Sequence, residues 1–385
     1  MAGMANVALT RFSMRRPPHR IDQRRALDWL VAAHAESQAT VEGSTPEQRA
    51  AFTARLSRLI DRCDCGPGKV AERSHVLADI GRFDFDRLAI YDVTKNPHGK
   101  GTAARAQLYS EIVDAYFEAE YGVDDAPPSD LIHVTCTGYV SPSGAQRVVM
   151  NRGWGATTRV THAYHMGCHA AFPAIRIAVG HLEADAPRAN RRVDVVHTEL
   201  CSLHLDPSDH SIEQLAVQSL FADGLVRYSV GRDDGAPGLR VLALDERLVP
   251  GSTREMTLAV SDWGMKMTLG RNVSERVAGA LRDFVADLYR RAGTSLAEAS
   301  SRAVFAVHPA GPRIIDRIRD VLELSDEQVR ASREVLYERG NMSSATLPHV
   351  WMRIVDDPRV ARGTPVVSLA FGPGLTLCGG VFEKR

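Results

Sequence analysis

Strand-like and helix-like segments alternate along both halves of this 385-residue chain. In the first half, a buried-strand pattern over 130–139 and a β-rich stretch over 191–205 come before a helical pattern over 211–222. In the second half, a strand pattern over 239–249 comes before a helical pattern over 274–293. A chain that alternates in this way buries helices against sheets, so we predict an α/β fold built in layers.

Capping residues predict where several helices begin and end. The segment EGSTPEQ divides the first two helical patterns, and its Ser44 or Thr45 comes before a proline, as an N-cap should. A third helix is expected to end at Gly122, and a later one to open at the box formed by Ser325 and Gln328. The chain closes as two strands around a Gly-Pro-Gly turn.

Composition and charge limit the classes of partner. Lys plus Arg and Asp plus Glu both number 47, so no net charge draws the chain to nucleic acid or to an anionic membrane. No apolar run reaches the ~18–20 residues of a bilayer span, and the first residues lack the apolar core of a signal peptide. We therefore expect a cytoplasmic protein whose partners are small molecules or other proteins.

The six cysteines are few and scattered, which is typical of free thiols in a reducing compartment. Cys63 and Cys65 form a C-x-C with no second Cys or His pair nearby, so we expect no metal site. Cys168 is different, because it follows Gly167 at the start of an apolar, alanine-rich helical segment. Unpaired backbone N–H groups at a helix start lower the pKa of a thiol, which favours a nucleophile. Packing as a small core residue is the alternative.

Two polar side chains downstream suit such a nucleophile. His308 ends an apolar strand at Pro309, and ligands bind at strand ends in α/β folds. Asn341 follows Gly340 at a loop-to-helix junction, where capping the helix is the alternative role. A catalytic thiolate needs a base or ion-pair partner and a donor for the thioester oxygen, and these two residues supply both.

Six motifs resemble those of the type III polyketide synthases, relatives of chalcone synthase within the thiolase-fold superfamily. They occur in the family's order and at roughly its spacing: MGCHAAFPAIRIA, VHTELCSLHL, SLFADG, AVHPAGPRIID, GNMSSATLPHV and LAFGPGLT. The resemblance implies a thiolase-like five-layered αβαβα fold with two pseudo-repeated halves. Residues 1–230 would then carry the nucleophilic cysteine, and residues 231–385 the histidine and the asparagine.

The same resemblance implies a catalytic triad of Cys168, His308 and Asn341. Cys168, as a thiolate paired with a His308 imidazolium, would carry an acyl chain as a thioester. His308 and Asn341 would donate hydrogen bonds to the malonyl thioester oxygen and so stabilise the enolate left when CO2 departs. The implied function is iterative decarboxylative condensation of malonyl-CoA onto an acyl-CoA starter, then cyclisation to a pyrone, resorcinol or phloroglucinol-type product.

Further positions are implied to shape the substrate cavity. Phe221 matches the family's gatekeeping phenylalanine, with core packing as the alternative role. The second gatekeeper position falls on Met267, whose flexible thioether would shape the cavity differently from a phenylalanine. Gly372 and Gly374, in GPGLT, are implied to form cavity wall near Cys168, and a plain tight turn is the alternative.

Three more residues bear on the substrate. Cys201, in ELCS, is similar to the residue of bacterial long-chain alkylpyrone synthases that opens a tunnel for an acyl tail. His204 is bulkier than we expect beside such a tunnel, so the starter length stays open. Cys378 stands where the family commonly has glutamate, and a Cys-Gly-Gly near the C-terminus also resembles the second catalytic cysteine of degradative thiolases.

The resemblance also implies partners and leaves alternatives. Acyl-CoA and malonyl-CoA are the expected substrates, with no further cofactor, and the loop 137–144 is expected to meet the other subunit of a homodimer. The alternative is a stand-alone ketosynthase or acyltransferase supplied by an acyl carrier protein, which a basic patch from RDFVADLYRR and RIIDRIRD would favour. A non-catalytic subunit is the third class, and the intact Cys, His and Asn set counts against it.

Overall fold

The structure is a computed structural model that describes residues 6–63, 65–184, 191–295 and 301–385. Its helices are α1 (Gln23–Glu42), α2 (Pro46–Asp61), α3 (Thr102–Glu120), α4 (Gly144–Asn151), α5 (Ala171–Ala184), α6 (Ile212–Leu220), α7 (Val273–Arg291), α8 (Pro312–Leu322), α9 (Arg330–Arg339) and α10 (Thr346–Asp356). Its strands are β1 (Val7–Arg15), β2 (His19–Asp22), β3 (Glu72–His75), β4 (Asp130–Thr135), β5 (Arg159–Tyr164), β6 (Arg192–Leu200), β7 (Asp223–Arg232), β8 (Gly238–Leu248), β9 (Met256–Ser261), β10 (Gly264–Leu269), β11 (Val304–Val307), β12 (Pro365–Gly372) and β13 (Thr376–Lys384).

Nine strands form one mixed sheet in the order β11-β12-β13-β8-β1-β7-β6-β4-β5. β4 pairs in parallel with β5 and β6, β11 pairs in parallel with β12, and the other pairs of this sheet are antiparallel. β1 pairs with β7 on one edge and with β8 on the other. The N-terminal strand therefore joins the strands of the first half of the chain to those of the second.

Three hydrophobic clusters show how the layers stack. The outer helices α1, α3 and α4 pack with Leu131 and Val196 on one face of β4 and β6. Ile132 and Val195 belong to a central cluster that holds α5 and α10. This cluster lies between two groups of strands, β4 to β7 from the first half of the chain and β8 with β11 to β13 from the second half. On the far side, α7 and α8 cover β12 and β13. Because successive strand residues face opposite sides, each group of strands has a helix layer on both faces, which gives the predicted five-layered order.

Of three helix boundaries predicted from the sequence, one agrees with the structure and two differ from it. Thr45 caps α2 through a capping box, as the sequence predicts. α3 ends before Gly122, because Tyr121 already has extended backbone and buries its side chain in the outer cluster. The hydrogen bonds of the box at Ser325 form, but the residues after it make a turn, so α9 begins only at Arg330.

Two other expectations concern the chain as a whole. The division into residues 1–230 and 231–385 stays a prediction, and its boundary falls inside β7. A bilayer span requires a long apolar helix, and none of the helices within the described ranges has that combination of length and composition.

Candidate active site

The predicted nucleophile lies on a tight turn between β5 and α5. Cys168 is the middle residue of the 3-10 turn Gly167–His169, so it comes before α5 rather than lying in its first turn. Gly167 adopts φ +78°, and a Cβ at this position would lie 2.3 Å from Cδ of Pro373. Only glycine lets the two segments come this close, which fixes the Cys168 turn against the turn that follows β12.

One cavity opens onto Cys168, which is buried and only 6% exposed. Four more of the predicted site residues line the same cavity. They are Cys201, His204, Phe221 and Met267. The other lining residues are Cys136, Thr137, Gly167, Leu205, Gln214, Val217, Gln218, Leu258, Met265, Ser343 and Pro373. The structure thus brings five predicted positions onto one mostly apolar surface.

His308 directly follows β11 and is completely buried. It is not among the described residues that line the cavity. Its backbone N–H donates to the Leu369 carbonyl of β12 at 2.8 Å. Neither of its ring nitrogens has a hydrogen-bond partner within the described part of the chain. Since buried polar groups normally have partners, these two nitrogens are available to a ligand.

Asn341 is also buried behind the cavity wall, and its carboxamide is held at both ends. Its Oδ1 accepts from the Ser343 N–H at 2.9 Å and from the Thr346 hydroxyl at 3.3 Å. Its Nδ2 donates to the Ala310 carbonyl at 3.4 Å, and the Ala310 N–H donates to the His308 carbonyl at 2.9 Å. The side chain therefore caps the turn before α10 and also turns its N–H groups toward the loop that carries His308.

Two contacts connect Asn341 to the cavity wall. Its backbone forms a parallel bridge with Phe221, which lines the cavity. Ser343, two residues further along, brings its Oγ to 3.8 Å from the Cys168 Sγ. The three residues of the predicted triad consequently belong to one connected region, and of the three Cys168 is among the described residues that line the cavity.

Burial sets the charge state of the predicted pair. It raises the pKa of the Cys168 thiol to about 12; a hydrogen bond with Ser343 opposes this shift and the Glu199 carboxyl adds to it. Burial lowers the pKa of the His308 imidazole to about 3, and His169 adds to that shift. Both shifts favour the neutral thiol and the neutral imidazole over their charged forms. The ion pair of Cys168 and His308 stays a prediction. Desolvation disfavours both charged forms, and Cys168 lies outside the first turn of α5.

His204 connects three segments of the cavity wall. Its Nε2 donates to the Thr137 carbonyl at 2.7 Å, and the Met265 N–H donates to its Nδ1 at 3.0 Å. Burial lowers the pKa of the ring to about 4, so the imidazole is neutral and both of its nitrogens are satisfied. His204 therefore forms part of the cavity wall together with Cys201, and the starter length stays open.

The turn between β12 and β13 lies against the Cys168 turn, and its three residues have different surroundings. Gly372 packs against a histidine, because a Cβ there would lie 1.9 Å from Nδ1 of His169. The Gly374 N–H donates to the Met256 carbonyl at 3.0 Å, away from the nucleophile. Neither glycine is among the described lining residues, and Pro373 between them lines the cavity instead.

Cys378 has different surroundings from Cys168. It lies on β13, and its Sγ donates to the Glu246 carboxylate at 3.4 Å. Burial raises the pKa of its thiol, and the charge of Glu246 adds to the shift. Cys378 is therefore a protonated donor and is not among the described residues that line the cavity.

The sequence reasoning missed three polar residues next to Cys168. Cys136 and Ser343 line the cavity, and Glu199 lies behind them with no exposed surface. Cys136 directly follows β4, and Glu199 is the second-last residue of β6. Both lie at the end of a buried strand, which is the same sequence signal that selected His308.

A five-layered α/β fold with a buried thiol on the turn before a central helix is a thiolase-like fold. A family model described as chalcone and stilbene synthases, C-terminal domain, matches residues 241–384. The chain is 33% identical over 258 residues to a 1,3,6,8-tetrahydroxynaphthalene synthase of Streptomyces griseus, which covers 66% of each chain. It is 31% identical over 273 residues to the synthase of that name from Streptomyces coelicolor, covering 71% of this chain and 70% of the relative.

The structural comparison agrees with the sequence comparison. A crystal structure of the Streptomyces coelicolor 1,3,6,8-tetrahydroxynaphthalene synthase, described as a bacterial type III polyketide synthase, matches with a TM-score of 0.76 at 25% identity. The match covers 98% of this chain and 99% of that chain. The chain belongs to the type III polyketide synthase family, and it is a condensing enzyme of the acyltransferase class.

Proposed function

We propose that the protein condenses malonyl-CoA repeatedly onto an acyl group held on Cys168 and then cyclises the chain. The observation that carries the proposal is the position of Cys168 on a mostly apolar cavity, linked through Ser343 to Asn341 and the His308 loop. An apolar cavity suits a growing acyl chain, and the polar residues next to the thiol suit its reacting thioester. The CoA thioesters supply both acyl groups, so the reaction needs no further cofactor.

Loading requires the thiolate of Cys168. Because burial raises the pKa of this thiol to about 12, a base has to take its proton. His308 is the predicted base, and both of its ring nitrogens are without partners among the described residues. The thiolate attacks the acyl-CoA carbonyl carbon, a new C–S bond forms, and CoA leaves as a thiolate that takes up the proton.

Extension requires a carbanion next to a thioester. When malonyl-CoA loses CO2, the electron pair is shared with the thioester oxygen, and N–H donors from His308 and Asn341 stabilise that charge. A neutral imidazole keeps one N–H donor, which agrees with the lowered pKa of His308. The carbanion attacks the acyl thioester, Cys168 leaves as a thiolate, and the chain gains two carbons.

The arginines of α7 and α8 are paired with acidic side chains, and this pairing favours CoA over an acidic carrier protein as the acyl donor. A docking site for an acidic carrier needs basic groups whose charge is not already neutralised. Ion pairs link these arginines to neighbouring acids: Arg282–Glu323, Arg291–Asp245, Arg317–Glu275 and Arg319–Asp320. The surface that the sequence singled out as a basic patch is therefore largely balanced in charge.

The first experiment is an incubation of the purified protein with malonyl-CoA, alone and with acyl-CoA starters from acetyl to palmitoyl. We expect mass spectrometry to find products that differ by successive ketide units. The mass of 1,3,6,8-tetrahydroxynaphthalene is the first to look for, because two relatives carry that name. Activity only with acyl carrier protein thioesters would contradict the proposal and support the stand-alone ketosynthase.

His308→Ala should slow the decarboxylation of malonyl-CoA by about 10²-fold, because the enolate oxygen loses a donor. The measurement is the release of labelled CO2 from carboxyl-labelled malonyl-CoA. His181→Ala is the matched control, since His181 lies on α5 and is not among the described lining residues. Release of CO2 at the wild-type rate from His308→Ala would contradict the assigned role.

His204→Ala should shift the preference toward longer acyl starters, because the ring is part of the cavity wall. The variant also removes the partners of the Thr137 carbonyl and the Met265 N–H, which should lower the free energy of unfolding by about 2 kcal/mol. The measurement is kcat/KM for each acyl-CoA, and we expect the ratio of long to short starters to rise about tenfold. An unchanged ratio would show that the wall at His204 does not limit the chain.

We also infer a homodimer that forms around the loop 137–144. Tyr139 in this loop is 70% exposed and Met150 on the neighbouring α4 is 73% exposed, so these adjacent segments present two large apolar side chains that a second subunit could cover. The Tyr139 ring packs against the ring of His165 at 5.1 Å between centroids, so its orientation is fixed. Light scattering should give twice the chain mass, and the mass of a single chain would contradict the inference.

A further inference from the structure

A buried hydrogen-bonded chain leads from the nucleophile to a carboxyl group. The Cys168 Sγ lies 3.8 Å from the Ser343 Oγ, and this oxygen lies 3.1 Å from the Cys136 Sγ. Cys136 in turn donates to Oε1 of Glu199 at 3.0 Å. The four residues are at most 6% exposed, and Glu199 is not exposed at all. Every link between Cys168 and Glu199 can both donate and accept a proton.

Other contacts hold Glu199 in place. Its Oε2 accepts from the Cys136 N–H at 3.1 Å and from the Thr137 hydroxyl at 3.0 Å, and its Oε1 also accepts from the Ser344 hydroxyl. Ser344 contacts His197, whose pKa is lowered to about 3 by burial, so that ring is neutral. Burial raises the pKa of Glu199, although the hydrogen bonds oppose this shift. Glu199 therefore takes a proton more readily than an exposed carboxylate does.

Four titratable groups that interact electrostatically with Glu199 can, like Glu199 itself, carry only a negative charge. They are the thiols of Cys136, Cys168 and Cys201 and the phenol of Tyr109. Each of them is neutral when protonated and negative when ionised. Two negative charges in this buried cluster repel each other at low dielectric, so a second ionisation is costly. Ionisation of Cys168 is least costly when Glu199 becomes neutral in the same event.

We propose that Glu199 is a positioning residue that takes up the proton of Cys168 through Ser343 and Cys136. The Cys168 proton moves to the Ser343 Oγ, the Ser343 proton moves to the Cys136 Sγ, and the Cys136 proton moves to Oε1 of Glu199. Ser343 and Cys136 end with one proton each, as they began, and the negative charge moves from Glu199 to Cys168. The proposal rests on the proposed function only in that Cys168 is the nucleophile, and it adds a second proton acceptor besides His308.

This role and a purely structural one predict opposite effects of Glu199→Gln. If Glu199 is only a nearby negative charge, its removal favours the thiolate, and Cys168 should be alkylated faster. If Glu199 receives the proton, its removal should slow alkylation of Cys168 at pH 7 by about tenfold or more, as expected for a lost base. The rate should then also rise more steeply with pH than in the wild type.

The experiment measures carbamidomethylation of Cys168 by iodoacetamide in the full chain, from about pH 6 to about pH 10, across the range where thiols ionise. Peptide mass spectrometry separates Cys168 from the other thiols. Cys136→Ser keeps a group that donates and accepts, and it should react at about the wild-type rate. Cys136→Ala is of similar size but interrupts the chain, so it should behave like Glu199→Gln.

Faster or unchanged alkylation in Glu199→Gln would overturn the proposal, and so would equal rates in the two Cys136 variants. If Glu199→Gln fails to fold, the comparison of Cys136→Ser with Cys136→Ala still decides. Alkylation needs neither acyl-CoA nor malonyl-CoA. A failure of this proposal is therefore distinguishable from a failure of polyketide synthesis.

Discussion

Cys168→Ala should abolish acyl loading and product formation together. Without the thiol no acyl-enzyme thioester forms, so condensation should fall by at least about 10³-fold. Intact-protein mass spectrometry after incubation with an acyl-CoA should show the wild type heavier by one acyl group and the variant unchanged. Alanine is smaller than cysteine and the position faces a cavity, so the fold should be retained.

Cys63→Ala is the matched control for this experiment. Its thiol lies just after α2, donates to the Leu59 carbonyl at 3.4 Å, and is not among the described residues that line the cavity. This variant should load and condense as the wild type does. Condensed products from Cys168→Ala would contradict the proposed mechanism, whereas continued release of CO2 would not, because decarboxylation is assigned to His308 and Asn341.

Gly167→Ala should reduce both stability and activity. A residue with a Cβ is strained by about 1–2 kcal/mol at the φ of +78° found here. Its Cβ would also lie 2.3 Å from Cδ of Pro373, and relief of that overlap costs about 1–3 kcal/mol more. The displaced Cys168 should lower the rate of acyl loading by about 10²-fold. Urea unfolding and the loading assay measure the two effects separately.

Gly153→Ala separates backbone strain from steric overlap. Gly153 also has a positive φ, +70°, but no atom lies within 4 Å of a Cβ built on it. This control should lose only the strain of about 1–2 kcal/mol and keep full activity. Equal losses in the two variants would show that the contact with Pro373 does not fix the nucleophile.

Much of the fold follows from local signals in the sequence. The alternation of strand and helix patterns predicted the layered α/β fold, and the N-cap signal at Ser44 or Thr45 predicted the start of α2, which Thr45 caps. Such signals act over a few residues, so they can be read without the tertiary structure. The same locality explains the error at Gly122, because burial of Tyr121 against distant residues ended α3 first.

The candidate site was predictable in part. Cys168, His308 and Asn341 were selected by a helix start, a strand end and a loop-to-helix junction, and the family motifs then pointed to the same three residues. The orientation of the Gly-Pro-Gly turn was not predictable, since Gly372 packs against His169 while Pro373 faces the cavity. Which face a turn residue presents depends on its neighbour in space, and short sequence windows do not contain that neighbour.

The sequence by itself determined the layered fold, the family and the residue types of the chemistry, because each of these is encoded in local periodicity or in short motifs. The tertiary structure alone decided the electrostatics of the site. Cys136, Glu199 and Ser343 come from distant parts of the chain, yet they form one buried network next to Cys168. Charge states in that network depend on desolvation and on distances of a few ångströms, and both exist only after the chain has folded.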